Sequence, residues 1–94
     1  MGYSINHVHI RAQDPHSSAA WYEKFFKAKV ISAREVMPGT ITVSMDAGGP
    51  VRLNISSQPP GSSGETAPAE LNRLGLEHFG FDTNDIEADI QRFQ

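Results

Sequence analysis

His7 and His78 are the side chains of this chain best placed to do metal chemistry. A neutral imidazole is a good ligand for divalent transition metals when rigid elements hold it in place. Two histidines on two strands, joined by one carboxylate, would form a 2-His-1-carboxylate set with positions open for substrate. The ordinary alternative for each is a structural histidine, hydrogen-bonded on a half-buried strand. His9 lies two residues after His7 and so faces the same way along a strand. It is read as a general base, a substrate contact or a third ligand, and a His7–His9 pair on one metal stays open. Arg52 and Asn54 share a face of a later strand and are read as substrate-binding, against the plainer reading of a solvent-facing row. His16 falls in a first helical turn and is expected in solvent.

The elements that must position these groups follow from pattern. Tyr3 to Ala12 reads as a strand with Ile5, His7, His9 and Arg11 on one face and Val8, Ile10 and Ala12 on the other. Asp14-Pro15 opens a helix, with Asp14 as N-cap and Pro15 in the first helical position. The helix runs to about Phe26, and its stripe of Ala19, Tyr22, Phe25 and Phe26 should lie on a sheet. Trp21 and Tyr22 are expected in core or interface. Strands are expected over Lys29 to Val36, Thr40 to Met45 and Val51 to Ser56, separated by turns at Met37-Pro38-Gly39 and Gly48-Gly49-Pro50. The stretch from Ser57 to Ala69, rich in Pro, Gly and Ser, reads as a linker. Gly75 to Asp82 is expected as a fifth strand. Thr83 or Asn84 then caps a second helix carrying Ile86, Ile90 and Phe93. The order is β-α-β-β-β followed by β-α.

Shifting the chain by 71 residues places His7 on His78, Ile10 on Phe81, Asp14 on Asp85 and Tyr22 on Phe93. Both stretches read as a histidine on a strand, a carboxylate, and a helix with an apolar stripe. The first stretch continues into three strands, whereas the second stops in its helix at Gln94.

At 94 residues the chain fits one domain, divided here into a first module over 1–57, a linker over 58–74 and the start of a second module over 75–94. So small a chain buries a limited share of its surface, which a homodimer or a further segment would offset, and a homodimer is expected. The net charge of -3 argues against a nucleic-acid partner. The absence of cysteine excludes disulfides, thiolate ligands and a Cys nucleophile. No apolar run approaches a membrane span, and the first residues lack the pattern of a secretory signal, so the default expectation is a cytoplasmic protein without a membrane partner.

Ile5-Asn6-His7-Val8, then Asp14-Pro15, Ser17 to Tyr22 and Phe25-Phe26, resemble the opening of vicinal-oxygen-chelate proteins. Gly75 to Phe81 followed by Asp85-Ile86 resembles the start of that family's second module. The family includes glyoxalase I, extradiol dioxygenases, methylmalonyl-CoA epimerase and the fosfomycin- and bleomycin-resistance proteins. The resemblance implies an α+β fold of paired βαβββ modules, a cup around a divalent metal (Fe, Mn, Ni or Zn), and His7 and His78 as ligands. It also implies a Glu on the last strand of the second module, which these residues do not include. Glyoxalase-like members take a further Glu or Gln from strand four, and that position is Arg52 in Val51-Arg52-Leu53. A guanidinium is no ordinary ligand. The departure speaks against a four-ligand glyoxalase site and leaves a three-ligand, dioxygenase-like set open.

The expected function is therefore a metal-dependent enzyme acting on a small molecule bound through vicinal oxygens, a glyoxalase-like lyase or isomerase or a ring-cleaving dioxygenase. In it His9 would act as a base or substrate contact and Arg52 would anchor an anionic group. The alternative is a non-catalytic, resistance-type binder using the same cup.

Overall fold

A computed structural model of the chain describes residues 2–62, 71–72, 74–76 and 78–94. They fall into two compact units, Met1–Ser62 and Ser63–Gln94. The first holds β1 (His7–Arg11), α1 (Pro15–Phe26), β2 (Lys29–Met37), β3 (Thr40–Asp46) and β4 (Arg52–Ser56), and the second holds α2 (Ile86–Phe93).

In the first unit the four strands form one mixed sheet in the order β1-β4-β3-β2. β1 runs parallel to β4, while β3 is antiparallel to both β4 and β2. The parallel pair is possible because α1, β2 and β3 carry the chain back between its two strands. β1 begins at His7, later than the expected Tyr3, because β4 offers partners only from Arg52, which stands opposite His7. The Arg52 N–H donates to the Asn6 carbonyl at 2.9 Å, and the ladder ends there.

Helix α1 starts where its sequence says it should. The Asp14 carboxylate accepts from the backbone N–H groups of His16 and Ser17 at 3.1 and 3.3 Å, and from the Ser17 hydroxyl at 2.8 Å. These bonds satisfy donors that a helix start leaves without intrahelical partners. Lys27 ends the helix in the left-handed region at φ 57°, and the Ala28 N–H reaches back to the Tyr22 carbonyl at 3.3 Å. This closing turn ordinarily uses glycine. Ala19 of α1 and Ala28 just after it form the core with Val43, Met45, Leu53 and Ile55 of the central strands, and the partly buried Ile10, Ala12 and Tyr22 pack against it. Met45 and Ile55 are fully buried. Trp21, expected in core or interface, is half exposed and meets Tyr22 edge-on and Phe25 and Phe26 at a tilt on the helix itself.

Because side chains alternate across a strand, this packing assigns the two sheet faces. Val8, Ile10, Leu53, Ile55, Val43 and Met45 lie under α1. Their alternates face the other way, and those are the residues with chemistry.

In the second unit α2 is capped by Asp85, not by the expected Thr83 or Asn84. The Asp85 side chain accepts from the Ala88 N–H at 3.1 Å, and Thr83 Oγ1 accepts from the Asp85 N–H at 3.1 Å. Thr83 thus supports the cap residue. Its hydroxyl also donates to Asp89, which pairs with Arg92 at 2.7 Å. Where the fifth strand was expected, over Gly75 to Asp82, the described residues 75–76 and 78–82 lie in no ladder. An extended sequence becomes a strand only where a neighbour takes its N–H and C=O groups. Most of the expected linker lies outside the described residues.

Candidate functional site

The cross-strand register builds the polar face row by row. His7 stands opposite Arg52, Arg52 opposite Asp46, and Asp46 opposite Lys29. The next row is His9, Asn54, Ser44 and Ser32. The third is Arg11, Ser56, Thr42 and Arg34. Directly opposed residues on one sheet face are the unit of side-chain contact. His7, His9, Arg52 and Asn54, chosen from sequence alone, therefore meet on two adjacent strands. His78 lies in the other unit, exposed and outside any strand.

His7 is exposed, and its Nδ1 lies 3.0 Å from Asn6 Oδ1. With the proton on Nδ1 donated to that acceptor, the Nε2 lone pair is turned outward. A hydrogen bond to one ring nitrogen fixes the orientation of an imidazole and leaves the other nitrogen to bind. Arg52 makes one long contact with Asp46, 3.5 Å from Nη1 to Oδ2, with 46% of each side chain exposed. An ion pair this open and this long contributes little, and it leaves most of the five guanidinium N–H donors uncommitted.

His9 differs from its neighbour. Its Nε2 lies 2.5 Å from Ser56 Oγ, and that hydroxyl lies 2.6 Å from Thr42 Oγ1. Ser56 is buried. The chain His9–Ser56–Thr42 occupies one ring nitrogen and leaves Nδ1 as the group His9 can present. A serine so enclosed is a support for the imidazole rather than a nucleophile. Neither Ser56 nor Thr42 was singled out from sequence. Ser56 continues the period-two row of Arg52 and Asn54, but only the parallel pairing with β1 brings it to His9. Among the described residues, Asn54 Oδ1 and Thr40 Oγ1 are buried without a hydrogen-bond partner. Arg11 is tied by its Nη1 to the Ser57 carbonyl at 2.8 Å.

Among the described residues of these four strands, the face carries Lys29, Arg34, Arg52 and Arg11 against the single carboxylate of Asp46. The chain as a whole is acidic, at -3. Positive charge is thus concentrated on the face that holds the histidines, and a surface of one sign attracts small ions of the other.

The donor set of the first unit does not fit a divalent cation. Its imidazoles are His7, with a guanidinium directly across the sheet from it, and His9, tied through Nε2 to Ser56. Among the described residues no three histidines or carboxylates come together to hold an ion.

The family model of the glyoxalase/bleomycin resistance protein/dioxygenase superfamily matches residues 4–94, nearly the whole chain. The chain belongs to that superfamily. In this glyoxalase-superfamily chain the α+β fold agrees with solved structures as well. SMU.1112c is similar at a TM-score of 0.73 and 22% identity, over 99% of this chain and 74% of its own. TioX from Micromonospora sp. ML1 is similar at a TM-score of 0.57 and 19% identity, over 96% of this chain and 69% of its own. At such identities the likeness shows the fold alone. No curated protein matches the chain. Among the described residues, no helix is long and apolar enough to cross a membrane.

Proposed function

We propose that this superfamily member binds a small molecule on the polar face of its sheet, with His7, His9, Arg52 and Asn54 as the contacting side chains. The observation that carries this reading is the parallel β1–β4 register, which sets His7 beside Arg52 and His9 beside Asn54. The site then has two imidazoles, a guanidinium and an amide on two hydrogen-bonded strands, whose backbones cannot drift apart without breaking the ladder. The oriented His7 edge and the open guanidinium support recognition of an oxygen-rich ligand. Amide chemical-shift mapping of the labelled protein tests it, with mixtures of hydroxy acids, catechols and thioethers as probes. Saturable shifts should gather at residues 7–11 and 52–56. Shifts confined to α1 or α2, or none at all, would refute the reading.

A second reading is the metal-dependent lyase, isomerase or dioxygenase, with His7 and His78 as ligands and His9 as base. What favours it is the Asn6-oriented His7 imidazole, aimed as ligands are. A bound divalent metal would supply Lewis acidity to a vicinal-oxygen substrate. Under this reading His7→Ala and His78→Ala each abolish tight metal binding, and retention of stoichiometric metal by both variants excludes it. A homodimer is proposed under either reading, and native mass spectrometry reads it directly.

A further inference from the structure

The residue opposite His7 decides what the polar face can hold. A carboxylate there would join the imidazole on a cation, but the position is Arg52. A guanidinium brings a permanent positive charge and no lone pair to donate. It repels a divalent ion at that point and presents a planar fork of N–H donors, suited to two oxygens of one planar group. Three observations bear on whether that fork is available. Arg52 is an exposed position on the strand, its one ion pair is 3.5 Å long, and its partner Asp46 is equally open to solvent. The surrounding face adds Lys29, Arg34 and Arg11, so an anion approaching Arg52 meets a positive field. His7 is the cross-strand partner of Arg52, and with Nδ1 held by Asn6 Oδ1 its Nε2 is left to bond a second polar group of the same ligand.

We propose that Arg52 does the work of a metal in this chain, binding an anion through two adjacent oxygens of a planar group, with His7 contacting its neighbouring atoms. This rests on the small-molecule reading above and adds the ligand class: a carboxylate with a vicinal oxygen, as in a 2-hydroxy or 2-keto acid, bound without a divalent ion. Asp46 is the side chain this anion displaces from Arg52. The requirement for a fork also separates arginine from lysine at this position, since an ammonium offers a point charge and no paired planar donors.

The test is calorimetric titration of the whole protein with oxalate at low salt, in EDTA and again with excess Mn²⁺, with amide shifts recorded alongside. Wild type should bind oxalate in EDTA, with shifts at residues 7–11 and 52–56. Arg52→Lys should weaken binding roughly tenfold, the loss of one charge-assisted bond, and Arg52→Glu should abolish it. Lys24→Glu makes the same charge change on α1, which packs on the other face, and should leave binding as it was. Circular dichroism confirms folding of each variant. Binding that requires Mn²⁺, or that survives Arg52→Glu, overturns the inference. So does an equal loss in Lys24→Glu, which would mean bulk charge alone. Absence of oxalate binding in every condition also overturns it. In each case the shift map with the mixed probes separately decides whether the face binds small molecules at all.

Discussion

His7 and Arg52 face each other across the parallel β1–β4 ladder, on the side of the sheet away from α1. The distance between them in sequence is closed by one helix and two antiparallel strands, and the pairing puts an imidazole and a guanidinium where two metal ligands would share a cation. The consequences for ligand class follow from this one register. Its neighbours on the same face, His9 and Ser56, give the next expectation.

Removing the Ser56 hydroxyl should loosen His9 and cost stability together. Ser56→Ala deletes the atom that bonds both His9 Nε2 and Thr42 Oγ1. Leaving the buried groups around it unsatisfied costs about 1–3 kcal/mol. Urea denaturation should show that loss, and the His9 ring nitrogens should shift in a long-range ¹H–¹⁵N spectrum while those of His16 stay in place. Unchanged His9 resonances would mean that Ser56 does not hold the ring.

Two backbone positions should respond in opposite directions to exchange of a side chain. Lys27 ends α1 at φ 57°, where a side chain is strained by about 1–2 kcal/mol. Lys27→Gly should relieve part of that, partly offset by the greater freedom of glycine when unfolded, for a gain of roughly 0.5–1 kcal/mol. Gly39 turns β2 into β3 at φ 78°, and a Cβ there would lie 2.3 Å from Pro60 Cγ. A proline ring cannot swing aside, so Gly39→Ala should destabilise by more than about 1 kcal/mol. Thermal melts of the two variants should move in opposite senses.

The cap of α1 predicts a pH effect. Hydrogen bonds from the Ser17 side chain and backbone, followed by that from His16, hold the Asp14 carboxyl below its ordinary value of 3.8. A carboxyl depressed in the folded state stabilises at pH above its unfolded value, and that contribution disappears as pH falls through the folded value. Wild type should therefore melt above Asp14→Ala at neutral pH, with the gap closing as pH falls below 3.8. Asp14→Asn, which keeps an accepting oxygen and does not titrate, should lose less of its stability over the same range. Parallel melting curves for wild type and Asp14→Ala across this range would contradict the assignment.

The first unit was legible because each element carried its own signal. Asp14-Pro15 states a helix start, the alternation through Val8 and Ile10 states a buried face, and Pro38-Gly39 states a turn. The 71-residue shift matched Asp14 with Asp85, and both are N-caps, so that half of the repeat is present in the structure. The choice of Thr83 or Asn84 missed this because all three residues are good caps. Geometry, rather than residue type, selects the one whose oxygen reaches the Ala88 N–H. The half of the repeat centred on His78 is not matched by a strand among the described residues, since period-two sequence cannot supply the neighbour a strand needs. For the site, the strand faces could be read by alternation. The parallel pairing that sets His7 against Arg52, and Ser56 near His9, is a long-range contact with no local signal. The superfamily and its α+β fold, expected from the short runs around His7 and His78, hold over residues 4–94.

The measurement that bears most directly on the role of Arg52 is a Zn²⁺ titration of wild type and Arg52→Glu, read at the His7 ring nitrogens and by calorimetry. With a guanidinium across from the imidazole, wild-type His7 should show no saturable shift at micromolar Zn²⁺. Arg52→Glu, which replaces the cation with a carboxylate, should bind at least roughly tenfold more tightly through His7. Stoichiometric Zn²⁺ binding by wild type at micromolar concentration, with His7 Nε2 as a ligand, would contradict the account and return the site to metal chemistry.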